Sequence, residues 1–351
     1  MAYLSDIPHI IRRSVKIGAN VHLIGDPGIG KTQVIEQTVA QIRLNDPEFM
    51  LWTLYTPSLS PVDFSVPMPD VKTGMLRSYH SDRLPNGYTH PDARGIVFLG
   101  ERDNADPATN KALQKYINNE DMGGLIKPRG VIVVSDSNEL SHRSGVVQQS
   151  LALLSRSAVI KVIHDPNETL KHFADLGVNL YVQAYCQLRK EHINTFEELI
   201  AKREYRVWAN PRAWVRLGAL LDVADEEQGK LTDDEICGNV SEGVGREFIA
   251  FLHAARELVS YEDIAKKPET AFMPDKPSDM YAIVSMLANS VQAKDMPPVR
   301  AYIERYGIEI QVLFLRLMTS SKGKHRLACV QTEAYTSWFA RPELRDVLLG
   351  K

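Results

Sequence analysis

The run Val21-His22-Leu23-Ile24-Gly25-Asp26-Pro27-Gly28-Ile29-Gly30-Lys31-Thr32 constrains this chain more than any other stretch. Val21 to Ile24 read as a buried strand, a Gly/Pro-rich turn follows, and from Gln33 onward Val34, Ile35, Val39 and Ile42 recur at helical spacing. The turn has the form G-x-x-x-x-G-K-T from Gly25 to Thr32. Glycines let successive backbone N–H groups converge on phosphate oxygens, and the helix N-terminus behind them adds partial positive charge. Lys31 brings a point charge to the β and γ phosphates, and Thr32 offers a hydroxyl to Mg²⁺, a cation that takes few protein ligands. Gly25, Asp26, Pro27, Gly28, Ile29, Gly30, Lys31 and Thr32 are therefore the expected nucleotide-binding residues, with Thr32 also the expected metal ligand.

Around this loop the first half of the chain alternates strands and helices. Leu4 to Gly18 places Ile7, Ile10, Ile11 and Val15 on one helical face, with Ser5 as the expected N-cap. Met50–Tyr55, Gly95–Gly100, Val131–Val134 and Ala158–Ile163 read as further strands, and Ala112, Leu113, Tyr116 and Ile117 form an apolar stripe after the helix entry Asp106-Pro107. A helix is expected from Val147 to Leu154. Five strands alternating with helices predict an α/β domain with a parallel sheet buried on both faces. The Pro- and Ser-rich stretch from Thr56 to Asn86 is long enough for a hairpin of its own, Met68 to Tyr79 around Lys72-Thr73-Gly74. Met122–Ile126 predicts a second hairpin. Beyond His164-Asp165-Pro166 only helical patterns follow, so residues 1–165 are expected to form the α/β domain, 166–230 a helical lid and 231–351 further C-terminal helices.

The charge balance, 41 Lys plus Arg against 44 Asp plus Glu, gives -3 and exerts no general pull toward nucleic acid or an anionic membrane. Cys186, Cys237 and Cys329 fit no metal or disulfide spacing and suit a reducing compartment. Met1 to Ile10 lacks a signal-peptide pattern and no apolar run reaches spanning length, so a soluble, cytoplasmic protein is expected. His22, Trp208 and Trp214 read as packing residues, and Lys322-Lys324-Arg326 as a solvated patch.

A phosphate loop binds; hydrolysis also needs a group that orients water and another that helps hold the metal. Glu101, directly after the apolar strand ending at Gly100, is placed to polarise water. The residue before it, normally aspartate in such a motif, is Gly100. Asp103 is a candidate substitute.

The order of Gly25–Thr32, the strand ending in Glu101, Asn104-Ala105-Asp106-Pro107 opening a helix, Arg156 after Leu153-Leu154-Ser155, and Asn210-Pro211-Arg212-Ala213-Trp214 resembles the MoxR-like branch of the AAA+ ATPases. The resemblance implies a ring, commonly a hexamer, with ATP and Mg²⁺ bound between subunits and a protein partner that often carries a von Willebrand factor A domain. It makes Glu101 the water-activating residue, places Asp136, or Asn138 in its stead, where a polar sensor sits, and puts Arg156 and Arg143 where arginine fingers reach a neighbour's γ-phosphate. Arg212 falls on the lid arginine, and Met122–Ile126 on a hairpin facing the ring interior or a partner. The expected activity is ATP hydrolysis coupled to remodelling or maturation of a protein partner. Two alternatives stay open: a nucleotide-stabilised scaffold with little hydrolysis because of Gly100, and a DNA-handling AAA+ protein.

Overall fold

The computed structural model describes residues 1–138, 155–204, 206–320 and 324–349. The chain divides into two compact units, Met1–Asp165 and Pro166–Lys351.

The first unit is α/β. Its strands are β1 (Ala2–Tyr3), β2 (Asn20–Ile24), β3 (Met50–Tyr55), β4 (Ser65–Pro69), β5 (Leu76–His80), β6 (Arg94–Gly100), β7 (Gly130–Ser137) and β8 (Ser157–Ile163). Six of them form one sheet in the order β1-β8-β2-β7-β6-β3, every pair parallel. The expected five strands are thus joined by a sixth: Ala2 and Tyr3 pair with Val162 and Ile163, a two-residue contact too short to carry a period in the sequence. β4 and β5 form a separate antiparallel hairpin at the stretch expected for one.

Period-two alternation distributes the strand side chains to two cores. Val21, Leu23, Ile96, Phe98, Ile132 and Val134 join helices α1 (Ile7–Ile17) and α2 (Lys31–Arg43) in one cluster. Val97, Leu99, Val131 and Val133 join Leu113, Tyr116 and Ile117 of α3 (Pro107–Ile117) in the other. The central strands β6 and β7 are buried along almost their whole length, as a sheet covered on both faces requires. The chain leaves β2 for the β3 edge and leaves β7 for β8 on the other side, so the crevice at the carboxyl ends of β2 and β7 is a topological switch point, where open α/β sheets bind ligands.

Two local expectations are corrected. Ser5 does not cap α1; Leu4–Asp6 is a 3-10 turn in which the Asp6 carboxylate accepts from the Tyr3 N–H at 2.9 Å, and α1 starts at Ile7. Met122–Ile126 is no hairpin but a lone turn, closed by Met122 N–H donating to Leu125 C=O at 2.9 Å, with Leu125 buried. The expected helix Val147–Leu154 lies outside the described residues.

The second unit is helical, with no strand among its described residues. Capping signals fix its helix starts: Asn210 accepts from the Ala213 N–H before helix Pro211–Glu226, and Thr232 forms a reciprocal capping box with Glu235 before Asp233–Val240. One apolar core runs from Phe173 to Leu344 across residue 230. Trp214 is fully buried there, its indole N–H donating to His192 C=O at 2.9 Å, while Trp208 packs its ring against Phe196. Cys186, Cys237 and Cys329 are buried free thiols. Among the described residues no helix is long and apolar enough to cross a membrane.

Candidate functional site

The glycine loop leaves β2 at the sheet's carboxyl edge and delivers the chain to α2. Gly25 is held by its N–H donating to Ser137 C=O at 3.2 Å, and a Cβ on it would sit 2.7 Å from the Val162 carbonyl oxygen, so no side chain fits. Gly30 precedes α2 in a left-handed conformation, φ 105°, and as glycine it offers the helix no capping side chain. The first-turn N–H groups of α2 are thereby left for an anion. Ile29 is buried in the core against α1 and α2, so its side chain anchors the loop and only its backbone can serve a ligand. Asp26, Pro27, Gly28 and Thr32 are half-buried along the loop.

Lys31 is 6% exposed and folds back over the loop, its ammonium donating to the Gly25 and Asp26 carbonyls at 2.8 Å each. Its Nζ lies 3.9 Å from Asp136 Oδ2. The loop thus holds a desolvated cation in place by groups that a phosphate can replace.

Glu101 follows β6 in a left-handed conformation, φ 52°, that non-glycine residues adopt only when held. Four hydrogen bonds hold it: its N–H donates to Asp136 Oδ1 at 2.8 Å, its C=O accepts from Thr56 Oγ1 at 3.0 Å, and its Oε2 accepts from Tyr55 Oη at 3.0 Å and Asn104 Nδ2 at 3.1 Å. The backbone twist lifts the carboxylate out of the sheet, leaving it half-buried.

Below these groups lies a buried polar cluster that the sequence did not announce. His22 points to the opposite face from Leu23, its Nδ1 2.8 Å from Ser135 Oγ and its Nε2 3.0 Å from Ser137 Oγ. Burial first, then the charges of Arg102 and Lys31, lower its pKa to about 3, so the ring is neutral. Arg102 and Asp103 are each 1% exposed. The Arg102 guanidinium donates to Ser135 Oγ at 3.3 Å, has no partner for Nε or Nη2 among the described residues, and is lowered to about 10 by burial. Asp103 Oδ2 accepts from the Asn138 N–H at 3.3 Å, and burial, reinforced by the Asp136 and Glu101 carboxylates, raises its pKa. A charged pair just after a strand reads as solvated in a sequence; only the fold shows it buried.

Gly25–Thr32, Glu101 and Asp136 come together at the switch point. Arg156 does not: it is exposed just before β8, whose Ser157 pairs with Asn20 at the start of β2, so it lies at the other end of a strand roughly 16 Å long. Arg143 lies outside the described residues. Arg212 is exposed in the first turn of helix Pro211–Glu226, in the helical unit.

No protein-family model and no curated protein matches the chain. Solved structures similar to it include the Thermotoga maritima RuvB Holliday junction branch migration motor, 14% identical over 75% of this chain and 74% of that one with a TM-score of 0.38. Another is the closed state of Hsp104 with ATPγS and FITC casein, 13% identical over 64% of this chain and 45% of that one with a TM-score of 0.40. Likenesses this distant carry no functional argument, and the geometry of the site itself has to carry the reading.

Proposed function

We propose that this chain is an AAA+ ATPase of MoxR-like type that binds ATP with Mg²⁺ at Gly25–Thr32 and couples its hydrolysis to the remodelling or maturation of a protein partner. The observation that carries the reading is the desolvated Lys31 ammonium held on two loop carbonyls at the uncapped start of α2, with the Glu101 carboxylate on the same sheet edge. The uncapped N–H groups and Lys31 bind and orient the phosphates, and Thr32 contributes a hydroxyl to Mg²⁺. Bound there, Mg²⁺ would neutralise charge developing on the phosphate oxygens. Glu101, held by Asn104 and Tyr55, orients and accepts a proton from the attacking water.

Arg156 lies at the end of β2 opposite its own loop, and in this reading it serves the site of a neighbouring subunit in a homo-oligomeric ring, a hexamer by the resemblance. A guanidinium supplied in trans raises turnover by about 10³–10⁵-fold, which makes assembly a condition of activity. Residues 166–230, with Arg212, act as the lid, and residues 231–351 extend the same helical body. A partner with a von Willebrand factor A domain fits the resemblance, and the cytoplasm fits the thiols. The -3 charge gives DNA handling no support.

A second reading, a nucleotide-gated scaffold without turnover, is favoured by one observation, the absence of a carboxylate at Gly100. Fluorescent ATP titration and Mg²⁺-dependent phosphate release across protein concentration separate the two. For the ATPase, Lys31→Ala weakens nucleotide binding by on the order of 10²-fold, the worth of two charge-assisted hydrogen bonds. Glu101→Gln and Arg156→Ala leave binding intact and abolish turnover. Tight Lys31-dependent binding with no turnover above Glu101→Gln at any concentration leaves the scaffold.

A further inference from the structure

Position 100 lacks the acid that would steady a metal at the end of β6, yet a carboxylate occupies the adjoining place on β7. β6 and β7 pair in register from Arg94 opposite Gly130 to Leu99 opposite Ser135, and the same register continued by one residue sets Gly100 opposite Asp136. On the other side, Asp136 is opposite Leu23 of β2, the strand that feeds the phosphate loop. Residues opposite one another in a sheet point to the same face. For Asp136 that is the face of Ile132, Val134 and Leu23, covered by α1 and α2, and Ile96 and Phe98 share it with position 100.

We propose that Asp136 supplies the metal-steadying carboxylate that Gly100 lacks, moved one strand sideways toward the phosphate loop. The inference rests on the reading of Gly25–Thr32 as a Mg²⁺-nucleotide site. A Cβ built on Gly100 falls 3.9 Å from Asp136 Oδ1, so the group is already where a side chain at 100 would reach. Its two oxygens divide the work: Oδ1 accepts from the Glu101 N–H, and Oδ2 faces Lys31 Nζ at 3.9 Å. An ionised carboxylate has no proton to donate, so it cannot act on a phosphate oxygen as the expected polar sensor would. Beside phosphates it is favourable only with positive charge between them, which Lys31 Nζ supplies in part and a bound Mg²⁺ would complete.

The other acids are worse placed. Glu101 Oε2 is engaged by Tyr55 and Asn104. Asp103 lies in the turn after β6, its Oδ2 tied to the Asn138 backbone; its Oδ1 has no partner among the described residues, which makes it the rival that the test includes. Glycine at 100 follows from the same arrangement, because an aspartate there would set two carboxylates side by side and force one to stay protonated.

The test is the Mg²⁺-induced tightening of a fluorescent ADP, together with the EPR spectrum of Mn²⁺ in the nucleotide complex, read on the natural chain, Asp136→Asn, Asp103→Asn and the double variant Gly100→Asp/Asp136→Asn. Asparagine keeps the acceptor for the Glu101 N–H, and thermal unfolding checks each fold. Expected are a loss of about 10–100-fold of the metal-induced tightening in Asp136→Asn with an altered Mn²⁺ spectrum, retention in Asp103→Asn, and recovery in the double variant, whose acid is back on β6. Unchanged metal response in Asp136→Asn, with binding still dependent on Lys31, overturns this proposal alone. Nucleotide binding that Lys31→Ala does not weaken overturns the nucleotide reading and this proposal with it.

Discussion

The two units bury polar groups in opposite ways. In the sheet unit Lys31, Arg102, Asp103, Lys127 and Asp136 are all less than a tenth exposed, with His22 among them; among the described residues of the helical unit the buried polar ones are Thr169, Asn179, Gln183 and Ser285, none of them charged. Burying a charge is costly unless it is paired, so a fold selected for stability alone would look like the helical unit. The sheet unit carries its charges where the strands end. Lys127 shows the cost at the other end of β2: its ammonium donates to Val131 C=O at 2.9 Å and to Asn20 Oδ1 at 3.4 Å, yet burial still lowers its pKa to about 8.

The largest effect is expected where the contrast is starkest, in the packed helical core. Trp214 is fully buried, with ring centroids 5.5 Å from Tyr185 and 5.3 Å from Phe248. Trp214→Ala should cost about 3–5 kcal/mol in urea unfolding of the full chain. A loss under about 1 kcal/mol would mean a core loose enough to collapse around the void, and the contrast in packing would fail.

In the sheet unit the sign reverses. Arg102→Met removes a guanidinium whose Nε and Nη2 find no acceptor among the described residues, and an apolar side chain of similar length should raise the unfolding free energy by about 1–3 kcal/mol. A fall instead would show that the cation stabilises the strand ends and that this burial is not a cost.

His22 gives an effect that is absent near neutral pH and grows on acidification. Its folded pKa of about 3 lies below the unfolded value of 6.5, so between them the unfolded chain binds more protons. Its contribution is complete above about pH 6.5 and is lost progressively as the pH falls toward 3, by at most about 1.4 kcal/mol per pH unit. His22→Gln should flatten the stability profile between pH 6 and 4 relative to the natural chain. Parallel profiles would show that the ring is not held neutral.

The same contrast explains what was legible in the sequence. Gly25–Thr32, Glu101 and the apolar runs of β2, β6 and β7 are local patterns, and local patterns survive in a linear text. Asp136 beside Gly100 is not local: it needs the register of two strands whose facing residues lie 36 positions apart, and spacing along the chain carries no trace of it. Arg102 and Asp103 look like surface charges because nothing in their neighbours reveals that Ser135 and Asn138 close over them. In the helical unit the individual helices are legible from periodicity and caps, but the single core from Phe173 to Leu344 depends on which apolar stripes face each other.

The smallest effect comes from an exposed cation of the helical unit. There Arg246 donates from Nη1 to Asp233 Oδ2 at 3.0 Å and from Nε to Glu242 Oε1 at 2.9 Å, whereas Lys31 Nζ lies 3.9 Å from Asp136 Oδ2. Geometry alone would rank Arg246 as the stronger anchor. Water decides otherwise: Arg246 and both carboxylates are more than half exposed, so their attraction is screened and is offset by the freedom that three side chains give up. Arg246→Ala should leave the urea midpoint unchanged within error at both low and high salt, while Lys31→Ala disables the phosphate loop. A clear loss of stability in Arg246→Ala that added salt abolishes would mean that surface charge pairing holds the helical unit together, and the division between a unit that stores charge and one that packs without it would have to be redrawn.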